Sequence, residues 1–106
     1  MKRSKYRAIP TVVDGIRFPS KLEAAFYGQL KLRRDQDAGD VRYFLRQVPF
    51  DLPGGVRYVC DFAAFMRDGS VKYYETKGMK TAMYRLKKKQ AEAIYPVTIT
   101  EVSNDG

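Results

Sequence analysis

Asp61, Glu75 and Lys77 are where this chain, which has no histidine, can do chemistry. Asp61 interrupts an apolar run over residues 56–66 that is otherwise broken only by Arg57. Aspartate is depleted in strands, so its presence there needs a reason. Glu75 and Lys77 are two residues apart and point to one face of a second strand over 71–77. Between the runs stands Asp68-Gly69, a strong hairpin signal. A two-residue loop would oppose Asp61 to Thr76 and send Glu75 to the other side. A three-residue loop, Arg67-Asp68-Gly69, with glycine in the left-handed last position, opposes Met66 to Ser70 and Asp61 to Glu75. The three-residue loop is the expectation, and it puts Asp61, Glu75 and Lys77 on one face.

Two neighbouring carboxylates repel unless a cation lies between them or one keeps its proton. Mg²⁺ takes oxygen ligands of this kind, usually one or two carboxylates completed by water and substrate phosphate. Such an ion lowers the pKa of a bound water and polarises a phosphoryl oxygen. Lys77 could orient the attacking water or offset charge on the phosphate. Taken alone, Glu75-x-Lys77 reads as a solvated sheet face with an ion pair. The in-register Asp61 turns the reading towards a site.

Composition sets the bounds. The chain has 106 residues, 44% of them hydrophobic, which suits one domain with one modest core. No apolar run is long enough to cross a bilayer, and the basic amino terminus lacks the apolar stretch of a secretory signal. The single Cys60 excludes an internal disulfide, and with no histidine it makes a poor zinc set. A reducing cytoplasm is the expected compartment. Without histidine there is no Ser-His-Asp triad, no Cys-His pair and no histidine base. The net charge of +8 and pI near 9.7 favour a polyanionic partner, of which nucleic acid is the commonest.

The elements that must position the site follow in chain order. Residues 1–8 form a basic arm, with Lys5, read as flexible and able to track phosphates or merely to aid solubility. Asp14-Gly15 predicts a small hairpin that presents Arg17. A helix is predicted over 20 to about 37, capped by Ser20, with Leu22, Ala25, Phe26 and Leu30 as its apolar stripe. Ser20-x-x-Glu23 fits a capping box, yet Glu23 also leans beside Phe26 and Tyr27 towards the sheet; both roles stay open. Residues 41–51 predict a strand, with Pro49 marking an edge or a bulge. Gln47 lies on it, its face unfixed. A second helix over 81–94 carries the stripe Met79, Met83, Leu86, Gln90, Ile94 and the cations Lys80, Arg85, Lys87, Lys88 and Lys89 with Tyr84. Residues 97–102 close as a strand, and 103–106 form a tail. Cys60, one residue from Asp61, should point away from it into the core.

This order, with Glu23 on the first helix, Asp61 on the second main strand and Glu75-Thr76-Lys77 on the third, resembles the PD-(D/E)XK nuclease superfamily. More narrowly it is similar to small phage and prophage proteins catalogued as a domain of unknown function. The likeness runs through Asp14-Gly15-Ile16-Arg17-Phe18-Pro19-Ser20-Lys21-Leu22-Glu23, Gln47-Val48-Pro49-Phe50, Tyr58-Val59-Cys60-Asp61-Phe62 and Glu75-Thr76-Lys77-Gly78, ending at Tyr95-Pro96. Cys60 stands where the name-giving proline would. The resemblance implies an α/β fold with an αβββαβ core behind an N-terminal hairpin, a single nuclease domain spanning 1–106. It implies a Mg²⁺- or Mn²⁺-dependent endonuclease of a bacterial host cell's phage or prophage, acting on branched, recombining or duplex DNA in the manner of Holliday-junction resolvases. Asp61, Glu75 and the Thr76 backbone carbonyl would hold the metal. Lys77 would assist the water, Glu23 would be an auxiliary acid, and Gln47 a weaker participant. Lys5, Arg17, Lys80, Tyr84, Arg85, Lys87 and Lys88 would contact DNA. Resolvases act as dimers, so a homodimer is possible and no membrane partner is expected. A non-catalytic nucleic-acid-binding or phage assembly adaptor module is the alternative.

Overall fold

Asp14 and Gly15 both take left-handed backbone, φ 55 and 73, the geometry of a two-residue hairpin loop. They join β1 (Thr11–Val13) to β2 (Ile16–Phe18) as a two-stranded sheet. In this computed structural model residues 9–78 and 80–103 are described. The expected basic arm with Lys5, Met79 and residues 104–106 lie outside them.

Ser20 opens α1 (Lys21–Asp35), its hydroxyl accepting from Glu23 N at 3.1 Å. The buried face holds Glu23, Ala24, Phe26, Tyr27 and Leu30, so Ala24 rather than Ala25 completes the stripe. Tyr27 Oη donates to Asp14 at 2.8 Å and ties the hairpin to the helix. Arg33 forks onto Asp40 at 2.8 and 2.9 Å and fixes the turn into the sheet.

The sheet follows: β3 (Val41–Leu52), β4 (Val56–Met66), β5 (Val71–Thr76) and, after α2 (Ala82–Ile94), β6 (Ile99–Val102). Its order is β3-β4-β5-β6, antiparallel except for the parallel β5–β6 pair that α2 connects. This is a mixed α/β fold with the element order read from sequence. β3 is an edge strand, as Pro49 requires. The β4–β5 loop is the three-residue one: Met66 N bonds Ser70 O at 2.8 Å, Gly69 N bonds Met66 O at 3.0 Å, and Gly69 sits at φ 94.

The core has two parts. One packs α1 against Phe18, Val41, Phe62, Ala64, Met66 and Tyr74. The other packs Tyr84 and Ala91 of α2 against Phe50, Leu52, Tyr58, Cys60 and Ile99. Tyr58 and Cys60 have the same strand parity as Phe62 and Ala64 but belong to the other cluster. Strands β3 and β4 therefore change sides at one level. At that level the β3–β4 ladder skips a pair: Arg46 matches Phe62, Val48 matches Cys60, and Gln47 and Asp61 between them are unpaired. Gln47 has φ 53, a left-handed backbone on a non-glycine residue.

The stripe expected on α2 is corrected. Met83, Leu86 and Ile94 are half exposed or more, while Tyr84 and Ala91 face the sheet. The helix turns its aromatic and its small residue inward because Phe50, Tyr58 and Tyr73 already fill the space beneath it. No helix among the described residues is long and apolar enough to cross a membrane.

Candidate active site

The two residues left unpaired at the break in the ladder, Gln47 and Asp61, meet through their side chains. Gln47 Nε2 donates to Glu23 Oε2 at 3.2 Å and to Asp61 Oδ1 at 3.4 Å. Asp61 Oδ2 takes Thr76 N at 2.9 Å and Thr76 Oγ1 at 2.7 Å. One amide and one aspartate thus link α1, β3, β4 and β5. The β4–β5 ladder ends at Phe62–Tyr74, one step short of the expected Asp61–Glu75 pair. Its register still brings Asp61 beside Glu75, and Asp61 bonds the next residue, Thr76, in place of a backbone partner.

Glu23 and Glu75 are both 2% exposed. A buried carboxylate without full compensation holds its proton more tightly. Burial first, and then the charge of Asp61, push the Glu23 carboxyl up to about 7 against the pull of Arg46 and Lys77. The same two causes push Glu75 up to about 7, opposed by its bond from Tyr58 and by Lys77. Tyr58 Oη donates to Glu75 Oε1 at 2.5 Å, and burial raises the phenol's pKa well above its ordinary value. Lys77 Nζ stands 3.8 Å from Glu75 Oε2, with its side chain 40% exposed, and lies 5.3 Å from the Tyr84 ring centre. The cation therefore reaches both the buried acid and the solvent.

The structure places every candidate site residue read from the sequence except Lys5, which lies outside the described residues. Glu23 is resolved between its two readings: its backbone N–H meets Ser20, but its carboxylate turns to Gln47 and to Arg46 at 3.7 Å. Gln47 faces the site. Cys60 is fully buried and its thiol is pushed up to about 12 by desolvation, which leaves it inert. Arg17 and Arg85 are exposed, Lys87 is half-buried, Lys80 lies 3.9 Å from Glu101, and Lys88 is 3.3 Å from Glu92. Tyr84 is the exception among the expected nucleic-acid contacts. It is 5% exposed, with its hydroxyl donated to Glu101 at 2.8 Å, because the inward turn of α2 makes it a core residue that supports Lys77.

Two residues of the site were not read from sequence. Arg46 stacks over the Phe18 ring at 4.5 Å with its Nε buried and unbonded among the described residues, and it is a cationic neighbour of Glu23. Tyr58 anchors Glu75. Its signal was a polar-tipped aromatic in an apolar strand, three residues before Asp61.

Residues 3–103 match a family model described as "Protein of unknown function (DUF1064)". The chain belongs to that family. No curated protein and no solved structure matches it.

Among the described residues of this DUF1064 chain, no group of three or more acidic or cysteine side chains stands at metal-holding spacing. The carboxylates that could hold a metal are fewer: Asp61 and Glu75, with Glu23 behind Gln47. Two carboxylates suit Mg²⁺, which keeps waters and substrate phosphate in its remaining positions. The two desolvated acids at about 7, offset by Arg46, Lys77 and the Tyr58 bond, are what a further cation would stabilise.

Proposed function

We propose that this chain is a metal-dependent endonuclease of the PD-(D/E)XK kind that hydrolyses phosphodiester bonds in DNA, with branched or recombining DNA as its substrate. The observation that carries the reading is the meeting of Asp61, Glu75 and the half-exposed Lys77 at the ladder break, with Glu23 held to the same cluster by Gln47. Asp61, Glu75 and the Thr76 carbonyl would hold Mg²⁺ or Mn²⁺. A bound ion of this type activates water and polarises the phosphoryl oxygen.

The chain's own groups supply the rest. Lys77 orients a water at the mouth of the site and offsets charge on the phosphate. The water oxygen bonds phosphorus and releases a proton to solvent, the ester P–O bond opposite it breaks, and the departing oxygen takes up a proton from a solvent water. Thr76 and Gln47 hold both oxygens of Asp61, and preorganised groups cost no reorganisation during reaction. Arg17, Arg85, Lys87 and Lys88 offer phosphate contacts, and the net charge of +8 draws the substrate in.

Labelled four-way junction, linear duplex and single-stranded DNA, incubated with Mg²⁺ or with EDTA, test this. Wild type should cut at least one substrate only with metal, and Glu75→Ala should bind without cutting. Binding by wild type with no cutting of any substrate would favour the non-catalytic binding or adaptor module instead.

A further inference from the structure

Tyr43, Phe65 and Val71 form one cross-strand row of the sheet, and Leu45, Ala63, Tyr73 and Ile99 form another, two positions along the strands. Directly opposed residues share a face. It is the face on which α2 sits, since Tyr73 and Ile99 pack into the cluster that holds Ala91. The helix covers only part of it. Tyr43 is 47% exposed, Leu45 49% and Val71 38%. The Tyr43 and Phe65 rings stack at 4.5 Å and 13°. Neither row contains a charged residue. Beside Val71 and Tyr73 lies an open groove of about 850 Å³, walled also by Phe50, Tyr95, Pro96 and one cation, Lys72.

An apolar, ring-bearing face on a strongly basic molecule can meet a second copy or unstacked nucleobases. A second copy would oppose two molecules of net charge +8, each with exposed Arg85 and Lys89 on the helix that packs on this face. A nucleic acid strand brings the opposite charge. Its phosphates can lie along α2 while its bases stack on rings, the arrangement of sequence-tolerant single-strand binders. The groove is also within the size range of small-molecule sites, enough for a nucleotide.

We infer that this aromatic face binds unpaired bases, so that the substrate is DNA with a single-stranded segment beside the cut. The substrate assignment rests on the nuclease reading; the binding does not. Val71 and Glu75 are four residues apart on β5, about 13 Å, so bases on the face would lie a few nucleotides from the acids.

Tyr43→Leu, which keeps apolar area and removes the ring, and Leu45→Ser, which removes apolar area and keeps the ring, separate the possibilities. Both are made in the full chain and measured in EDTA by anisotropy with a short labelled thymidine strand and with a blunt duplex. Tyr43→Leu should weaken the strand at least about fivefold, the loss of one base stack, and leave the duplex unchanged. Leu45→Ser, which keeps both rings, should weaken the strand by less than Tyr43→Leu does and leave the duplex unchanged. The chain has eight tyrosines and no tryptophan, so wild-type tyrosine emission should be quenched by the strand. Equal loss on strand and duplex, or no loss on either, overturns the inference. So does a wild-type dimer in sedimentation that Leu45→Ser dissociates, which would give the face to a second copy. Absence of cutting with Mg²⁺ would sink the nuclease reading while strand binding in EDTA survived, so the two failures are distinct.

Discussion

Thr76 donates twice to one oxygen of Asp61, from its backbone at 2.9 Å and its hydroxyl at 2.7 Å. The pair replaces the backbone ladder that ends one residue earlier, at Phe62–Tyr74. It both closes the sheet at this end and fixes the direction of a would-be metal ligand. Thr76→Val keeps the shape and the backbone donor but loses the hydroxyl, at 7% exposure. Thermal unfolding should show a loss of about 1–2 kcal/mol. Thr76→Ser should recover it. Calorimetric titration of Mg²⁺ should rank the three in the same order. Equal metal affinity in all three would mean that the hydroxyl is structural only.

The two acids at about 7 give stability a pH dependence of definite sign. A carboxyl whose folded-state pKa is raised keeps its proton longer when folded than when unfolded. Its contribution is complete below the unfolded value of 4.5 and is lost as pH rises towards about 7. For one such group the loss is on the order of 3 kcal/mol. Without metal, the domain should therefore become less stable across that window. Glu75→Gln should flatten the fall and melt higher than wild type at pH 8, by several degrees for each kcal/mol in a domain of this size. Parallel melting curves for wild type and variant at both ends of the window would contradict the buried-acid picture.

Metal should act in the same direction as that substitution. Mg²⁺ at about 100 times its dissociation constant adds roughly 2.7 kcal/mol to a folded state that alone binds it. The gain should appear as a higher melting temperature at pH 8 and shrink at pH 5, where the acids keep their protons. Asp61→Asn and Glu75→Gln should each abolish most of it, whereas Glu92→Gln, in the Lys88 pair, should not. An equal gain in all of these would mark non-specific binding.

Much of this arrangement was legible in the sequence, and its limits are physical. Gly69 suited the left-handed last position of a three-residue loop, chosen over the two-residue alternative; that loop set the β4–β5 register and brought Asp61 beside Glu75. Ser20 marked the start of α1, and Pro49 marked an edge or a bulge, of which the strand order shows the edge. Periodicity misread α2, because Met83, Leu86 and Ile94 make as good an apolar stripe as Tyr84 and Ala91, and only the rings already beneath the helix decide which side turns in. The side change at Gln47 and Asp61 left no local sign. No glycine marks the left-handed position, and the partner that stabilises it, Glu23, is 24 residues away.

That left-handed Gln47 makes a last prediction in which stability and site separate. A non-glycine residue held at φ 53 within a strand costs about 1–3 kcal/mol, offset here by the amide's bonds to Glu23 and Asp61. Gln47→Gly removes both the strain and the bonds, so its melting temperature should stay near that of wild type. Gln47→Val keeps the strain with a β-branched side chain and loses the bonds, so it should fall by about 2 kcal/mol or more. Both should lose metal-dependent cutting, because in both the carboxylates of Glu23 and Asp61 lose the group between them. If Gln47→Gly keeps full cutting, the amide merely fills space and the ladder break alone shapes the site. If Gln47→Gly is destabilised as much as Gln47→Val, the hydrogen bonds outweigh the strain, and Gln47 is chiefly a fold residue.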